Sequence, residues 1–336
     1  MVSWEPRDEI SNTVHFDSFN PLRRWSDWPG EGQFSVPEAR KVEVEKDISL
    51  EVLDWGGTGR PLVLLTGLGD DAHIFDNFAP KLTATYHVYG VTRRGRGASS
   101  KPAVTEANYS AHRLGEDVLA VIDALHLIEP VLAGHSVAGQ ELSYIGSMHS
   151  ERVAGLIYLE AGYPYALYDQ LHGQLDLDVI ELRKQLRPLI SGYAFEAIKH
   201  YSGVMANLQR VGKELEQHQQ ETKELPPSWV SPRMTPDLFA IMEGREKFTS
   251  IQAPSLVIFA TDPNRIPGDD PKSRAEEARQ ELLMRDKELQ IEAFKRQVPS
   301  ARIVLIPHAT HYVFQSNEDQ VLREMEAFIA TLPPEK

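Results

Sequence analysis

The 336-residue chain contains no cysteine, which excludes a disulfide framework and any metal site built on thiolates. It also removes the usual sequence clue to redox compartment. No window approaches the ~18 consecutive apolar residues that a membrane span requires, so the chain is expected to be soluble. Positive charge is in short supply, with 35 Lys and Arg against 49 Asp and Glu, a net charge of -14 and a pI near 5.3. Nucleic-acid binding is built on clustered Lys and Arg, so a phosphate-backbone partner is not expected. The opening Met1-Val2-Ser3-Trp4-Glu5-Pro6 has neither the basic head nor the apolar stretch of a secretory leader. That leaves the compartment open between cytoplasm and secretion with a leader removed. What the chain does have is 41% hydrophobic residues, enough for a substantial core, in a length that holds one large α/β domain plus an insertion or two small domains.

Taken in order, residues 1–37 carry scattered aromatics (Trp4, Phe16, Phe19, Trp25, Trp28) and prolines with no regular period, and read as an N-terminal arm. Val42, Val44, Ile48, Leu50 and Val52 then alternate with charged residues on either side of Lys46-Asp47, as in a half-buried hairpin. The continuous apolar run at 61–65 suits a strand covered on both faces, and further strands are read at 86–91, 131–133, 153–159, 254–260 and 301–306. Leu114, Val118, Val121, Ile122 and Leu125 share one helical face, and a closing helix presents Val321, Leu322, Met325, Phe328, Ile329 and Leu332. Asn317 and Gln320 have the spacing of an N-cap pair for that last helix. Alternating strands and helices imply a mostly parallel sheet with helices on both faces, whose ligands bind at the carboxyl ends of the strands. Between 165 and 250 the strand signal is lost and helical spacing takes over, which reads as a cap inserted between core segments 38–164 and 251–336.

The run Pro130-Val131-Leu132-Ala133-Gly134-His135-Ser136-Val137-Ala138-Gly139 passes from strand through a sharp turn to helical spacing. This is the pattern of a nucleophile elbow, in which a strained central residue lifts its side chain clear of the sheet. Ala138 stands where the pattern usually has its second glycine, and Gly139 follows at once. A serine needs a base within hydrogen-bond reach and a carboxylate behind that base. His311, just after the last strand, is the candidate base. His308 and His311 at three-residue spacing could also suggest a metal pair, but the helical context and further ligands that such a site needs are missing, so no metal is expected.

Thr66-Gly67-Leu68-Gly69, Arg94-Gly95-Arg96-Gly97-Ala98-Ser99, Gly134-His135-Ser136-Val137-Ala138-Gly139, Pro254-Ser255-Leu256-Val257-Ile258 and Ala309-Thr310-His311 follow one another as in the α/β-hydrolase superfamily. From about residue 40 to the end, outside the cap, the chain resembles its capped, esterase-like members. The resemblance implies an α/β-hydrolase fold: an eight-stranded, mostly parallel sheet with a helical cap inserted after strand 6. Ser136 would be nucleophile, His311 base, and the backbone N–H groups of Leu68 and Val137 the oxyanion hole. The family often has His-Gly where this chain has Thr66-Gly67, which changes the polar support beneath that loop.

Two carboxylates compete for the role of acid. Asp262, in Ala260-Thr261-Asp262-Pro263, follows the strand that carries the acid in most of the family, but one position early and with proline at the usual place. Glu160 ends the apolar run Leu156-Ile157-Tyr158-Leu159, where a buried carboxylate needs a partner such as an imidazole, and it is preferred. The function so implied is hydrolysis of a carboxylic ester of a small molecule through an acyl-enzyme, without a cofactor. The cap aromatics Tyr163, Tyr165, Tyr168, Phe195, Tyr201, Trp229 and Phe239 are available to make an apolar or aromatic pocket. Relatives that open epoxides or displace halide carry aspartate at the elbow, which sets the serine apart from them. A lactonase, amidase or carbon–carbon hydrolase with the same triad stays open, as does a ligand-binding receptor with little turnover.

Overall fold

The computed structural model describes residues 36–190, 201–223, 234–261 and 271–334. The first 35 residues of the expected arm, the cap aromatics Phe195 and Trp229, and Asp262 lie outside the described residues. A hairpin opens the described chain: strand β1 (Glu38–Glu45) turns at Asp47, with φ of 65°, into β2 (Ile48–Gly56). Next come β3 (Pro61–Leu65) and β4 (His87–Thr92), and the amphipathic helix α1 (Ala111–Ala124), whose first turn is capped by Ser110 Oγ accepting from the Arg113 N–H. Strand β5 (Val131–His135) feeds helix α2 (Gly139–Met148), and β6 (Gly155–Leu159) closes the first half. Among the described residues three cap helices follow, α3 (Leu175–Ile190), α4 (Tyr201–Glu221) and α5 (Pro236–Glu243). The chain then re-enters the sheet as β7 (Ser255–Thr261), crosses back along α6 (Pro271–Gln297), and ends with β8 (Arg302–Pro307) and α7 (Glu318–Ile329).

The eight strands form one sheet in the order β1-β2-β4-β3-β5-β6-β7-β8. The β1–β2 and β2–β4 pairs are antiparallel and every later pair is parallel. Because strand side chains alternate between faces, Val63 and Leu65 enter one apolar layer with Val118 and Ile122 of α1, while Leu62 and Leu64 enter the other with Met325 and Phe328 of α7. Both faces of β3 are therefore buried, which is why it reads as an unbroken apolar run, whereas the edge strand β8 leaves Leu305 exposed.

The closing helix begins at Asn317 as the spacing suggests, but the expected side-chain cap is not made. Asn317 sits at φ -132°, ψ 40°, away from the extended conformation that aims a capping side chain at the third helical residue, and its Oδ1 accepts from Ser316 Oγ instead. Its carbonyl oxygen closes the first turn with the N–H groups of Gln320 and Val321.

A buried ion pair ties the sheet to α1. Arg94, with no exposed surface, donates from Nε and Nη2 to the two oxygens of Asp117 at 2.6 and 2.5 Å, and its Nη1 reaches Glu45 on β1. Such a fork fixes geometry, and removing one partner strands the other charge in the interior. Asp117→Ala is expected to lower the unfolding free energy by about 3 kcal/mol, read from chemical denaturation.

Candidate active site at the strand ends

The register of the sheet assembles the site. Gly134 on β5 pairs with Leu65 on β3, and His135 pairs with Leu159 on β6. The turn after β5 is thereby flanked by the Thr66-Gly67-Leu68 loop on one side and Glu160 on the other. Ser136 occupies the left-handed region, with φ of 53°, a strained conformation for a residue with a Cβ. The turn is held by close approach on both sides. A Cβ at Gly134 would come within 3.0 Å of the Ala138 and Leu142 side chains, and one at Gly139 within 2.1 Å of the Ala161 carbonyl oxygen. Gly139 thus meets the tight backbone approach, and Ala138 is accommodated, fully buried, beside it.

The structure brings Ser136 and His311 together: Ser136 Oγ lies 2.9 Å from His311 Nε2. Burial holds the His311 pKa below 6.5, the nearby Glu160 charge works against that shift, and Lys287 adds to it. A neutral imidazole facing a serine hydroxyl can accept its proton. The Tyr165 side chain interacts with Ser136 as well, and burial pushes its phenol pKa far up, so it stays protonated.

Glu160 is buried at the end of β6 and is itself left-handed, with φ of 48°. Its Oε2 accepts from the Ala260 N–H at 2.6 Å, and its Oε1 accepts from the Tyr163 hydroxyl at 2.6 Å and from Lys287 Nζ. The path from this carboxylate to the imidazole runs through Tyr163, whose hydroxyl stands 3.5 Å from His311 Nδ1. Lys287 also donates to the Ala260 carbonyl at 2.8 Å, so helix α6 is fastened to the ends of β6 and β7.

Leu68 and Val137, expected to supply the oxyanion donors, meet in one apolar cluster with Leu114, Ala240 and Ile241. The last two residues belong to α5, so a cap helix shares one apolar cluster with the expected oxyanion residues. Arg96 reinforces that approach through Asp237 at 2.6 Å. Of the expected pocket aromatics, Tyr163 and Tyr165 stand at the site, while Tyr201 and Phe239 are exposed. Tyr168 is buried in the cap, donating to Asp178 and accepting from Arg210.

Two participants carry no obvious sequence signal. His135 is buried with its ring against those of His311, Tyr312 and Phe314, and its Nε2 donates to the His311 carbonyl at 3.0 Å. Burial pushes its pKa down to about 3, so its ring is neutral and its 3.9 Å approach to Asp70 is not an ion pair. Burial raises Asp70 in turn to about 6. Lys287 is the other, one of many charged residues along α6. Among the described residues no group of three or more His, Asp or Glu side chains could hold a metal ion, and no helix is long and apolar enough to cross a membrane.

The sequence profile of the Alpha/beta hydrolase family matches residues 62–324. The chain belongs to that family. It is 23% identical to a pimeloyl-[acyl-carrier protein] methyl ester esterase of Aeromonas hydrophila over 283 residues, 81% of this chain and 96% of that protein. It is 32% identical to epoxide hydrolase A of Mycobacterium tuberculosis over 126 residues, a match that spans 37% of this chain and 38% of that relative. Among solved structures, a bromoperoxidase from Bacillus anthracis superimposes with a TM-score of 0.55 at 20% identity, covering 87% of this chain and all of that one. That likeness supports the fold alone.

In an imidazole NMR titration, His311 is expected to show a midpoint below 6.5. Glu160→Gln removes the charge that opposes the shift and should move the midpoint lower still; an unchanged midpoint would show that Glu160 does not act on the ring.

Proposed function

We propose that the protein is a serine hydrolase that cleaves the carboxylic ester of a small molecule with an apolar or aromatic group. The observation that carries this reading is the 2.9 Å contact between Ser136 Oγ, on a strained turn, and His311 Nε2, within the family fold. Serine at the elbow suits acyl transfer, and the likeness to a methyl ester esterase over 81% of the chain agrees with an ester substrate. Tyr163 and Tyr165 beside the serine offer aromatic surface to the substrate.

The reaction runs in two halves. His311 takes the Ser136 proton as Oγ attacks the carbonyl, and the N–H groups of Leu68 and Val137 hold the oxyanion. The imidazolium then gives its proton to the departing alcohol, and water repeats the sequence on the acyl-enzyme. Glu160 is the carboxylate that balances the imidazolium, acting across the Tyr163 hydroxyl, with Asp262 as its rival.

Steady turnover of a panel of short and aromatic esters is expected, lost in Ser136→Ala, together with covalent labelling of Ser136 by a serine-directed phosphonate. Absence of both turnover and labelling would overturn the reading. Glu160→Gln and Tyr163→Phe should each lower kcat by about 10²-fold or more while Asp262→Ala stays near wild type. The reverse order would give the acid role to Asp262.

A further inference from the structure

The two expected oxyanion donors lie on separate segments, Leu68 on the loop after β3 and Val137 at the start of the elbow helix. Arg93, at the end of β4 and only 5% exposed, touches both segments. Its Nη1 donates to the Gly67 carbonyl at 3.0 Å and its Nη2 to the Thr66 carbonyl at 2.8 Å. Its Nε donates to Glu141 Oε1 at 2.6 Å, and Glu141 sits in the first turn of α2, the helix into which the elbow opens.

The Gly67 carbonyl and the Leu68 N–H belong to one peptide unit. In a planar trans peptide the two point in opposite directions, so a donor that grips the carbonyl sets the plane and turns the N–H away from itself. The charged donor also polarises that peptide, which strengthens the N–H at its far side. Thr66, standing where the family often has histidine, leaves its Oγ1 buried without a hydrogen-bond partner among the described residues. The loop's polar support therefore comes through its carbonyls.

We infer that Arg93 is the positioning residue of the oxyanion hole, a single guanidinium that holds the Leu68 N–H in register with the Val137 N–H by gripping the loop and the elbow helix together. The inference rests on the proposed hydrolysis. Lysine cannot replace the fork, because one ammonium does not present three donors at these fixed angles. Glu141 supplies the counter-charge: burial raises its pKa, and the Arg93 charge and hydrogen bond oppose that rise.

The test compares wild type with Arg93→Lys in the full chain, on a p-nitrophenyl ester and the matching thionoester. Arg93→Lys should lower kcat on the ester by about 10- to 100-fold with KM within about twofold, in the range of losing part of one oxyanion donor. A thiocarbonyl sulfur accepts hydrogen bonds weakly, so the thionoester should lose much less and the ester-to-thionoester rate ratio should fall. The rate of phosphonate labelling should drop in step with the ester. Wild-type kcat and ratio in Arg93→Lys would overturn the inference, and so would equal loss on both substrates, the mark of a purely structural role. If Arg93→Lys does not fold, Glu141→Gln is read by the same ratio, with a lowered ratio supporting and an unchanged ratio opposing. A wild-type enzyme without Ser136-dependent turnover would remove the proposed function, and this inference with it.

Discussion

The strand ends depend on one close approach, the packing of the β5 turn against the helix behind it. A glycine at 134 lets the turn fold back on Ala138 and Leu142, and a glycine at 139 lets α2 press on the Ala161 carbonyl. These contacts confine Ser136 to a left-handed backbone, which a serine would not choose on its own. Because the strain is imposed by a buried parallel sheet, the direction of the side chain is as rigid as the sheet itself. The histidine, the loops and the cap helix α5 are then arranged around a fixed point.

Around that point the protein buries several charged groups and accounts for them in pairs. Arg94 with Asp117, Arg93 with Glu141, and Lys287 with Glu160 each join a strand end to a helix. Pairs of this kind contribute little net stability compared with well-packed apolar groups, but they are unforgiving of displacement. Their distribution is informative: they sit where strands give way to loops, the place at which apolar packing thins and directional contacts take over the positioning.

Much of this was legible in the chain. Unbroken apolar runs announced strands buried on both faces, because side chains entering either layer must be apolar, and the glycine-flanked Ser136 announced the turn. Ser136 and His311, 175 residues apart, could be paired from the place of the histidine after the last strand, since residue spacing by itself carries no information about contacts across a sheet. Glu160 was legible as a buried carboxylate at a strand end, but its partners were not. Lys287 is one of many charges along its helix, and Tyr163 looked like one more pocket aromatic, because a local pattern does not reveal which single polar side chain a helix turns inward. The missing cap at Asn317 had a similar cause: spacing names the residues of a cap, and backbone angles decide whether the side chain can make it.

The pairing of Glu160 with Lys287 also sets how far that carboxylate can be felt. The potential of a lone buried anion falls with the inverse of distance, whereas an anion in contact with a cation is one end of a dipole, whose potential fades much faster. The electrical influence of Glu160 is therefore short-ranged, reaching the ring of His311 and the phenols of Tyr163 and Tyr165. A molecule still in solvent meets the overall negative charge of the protein and learns nothing of this carboxylate until it has arrived.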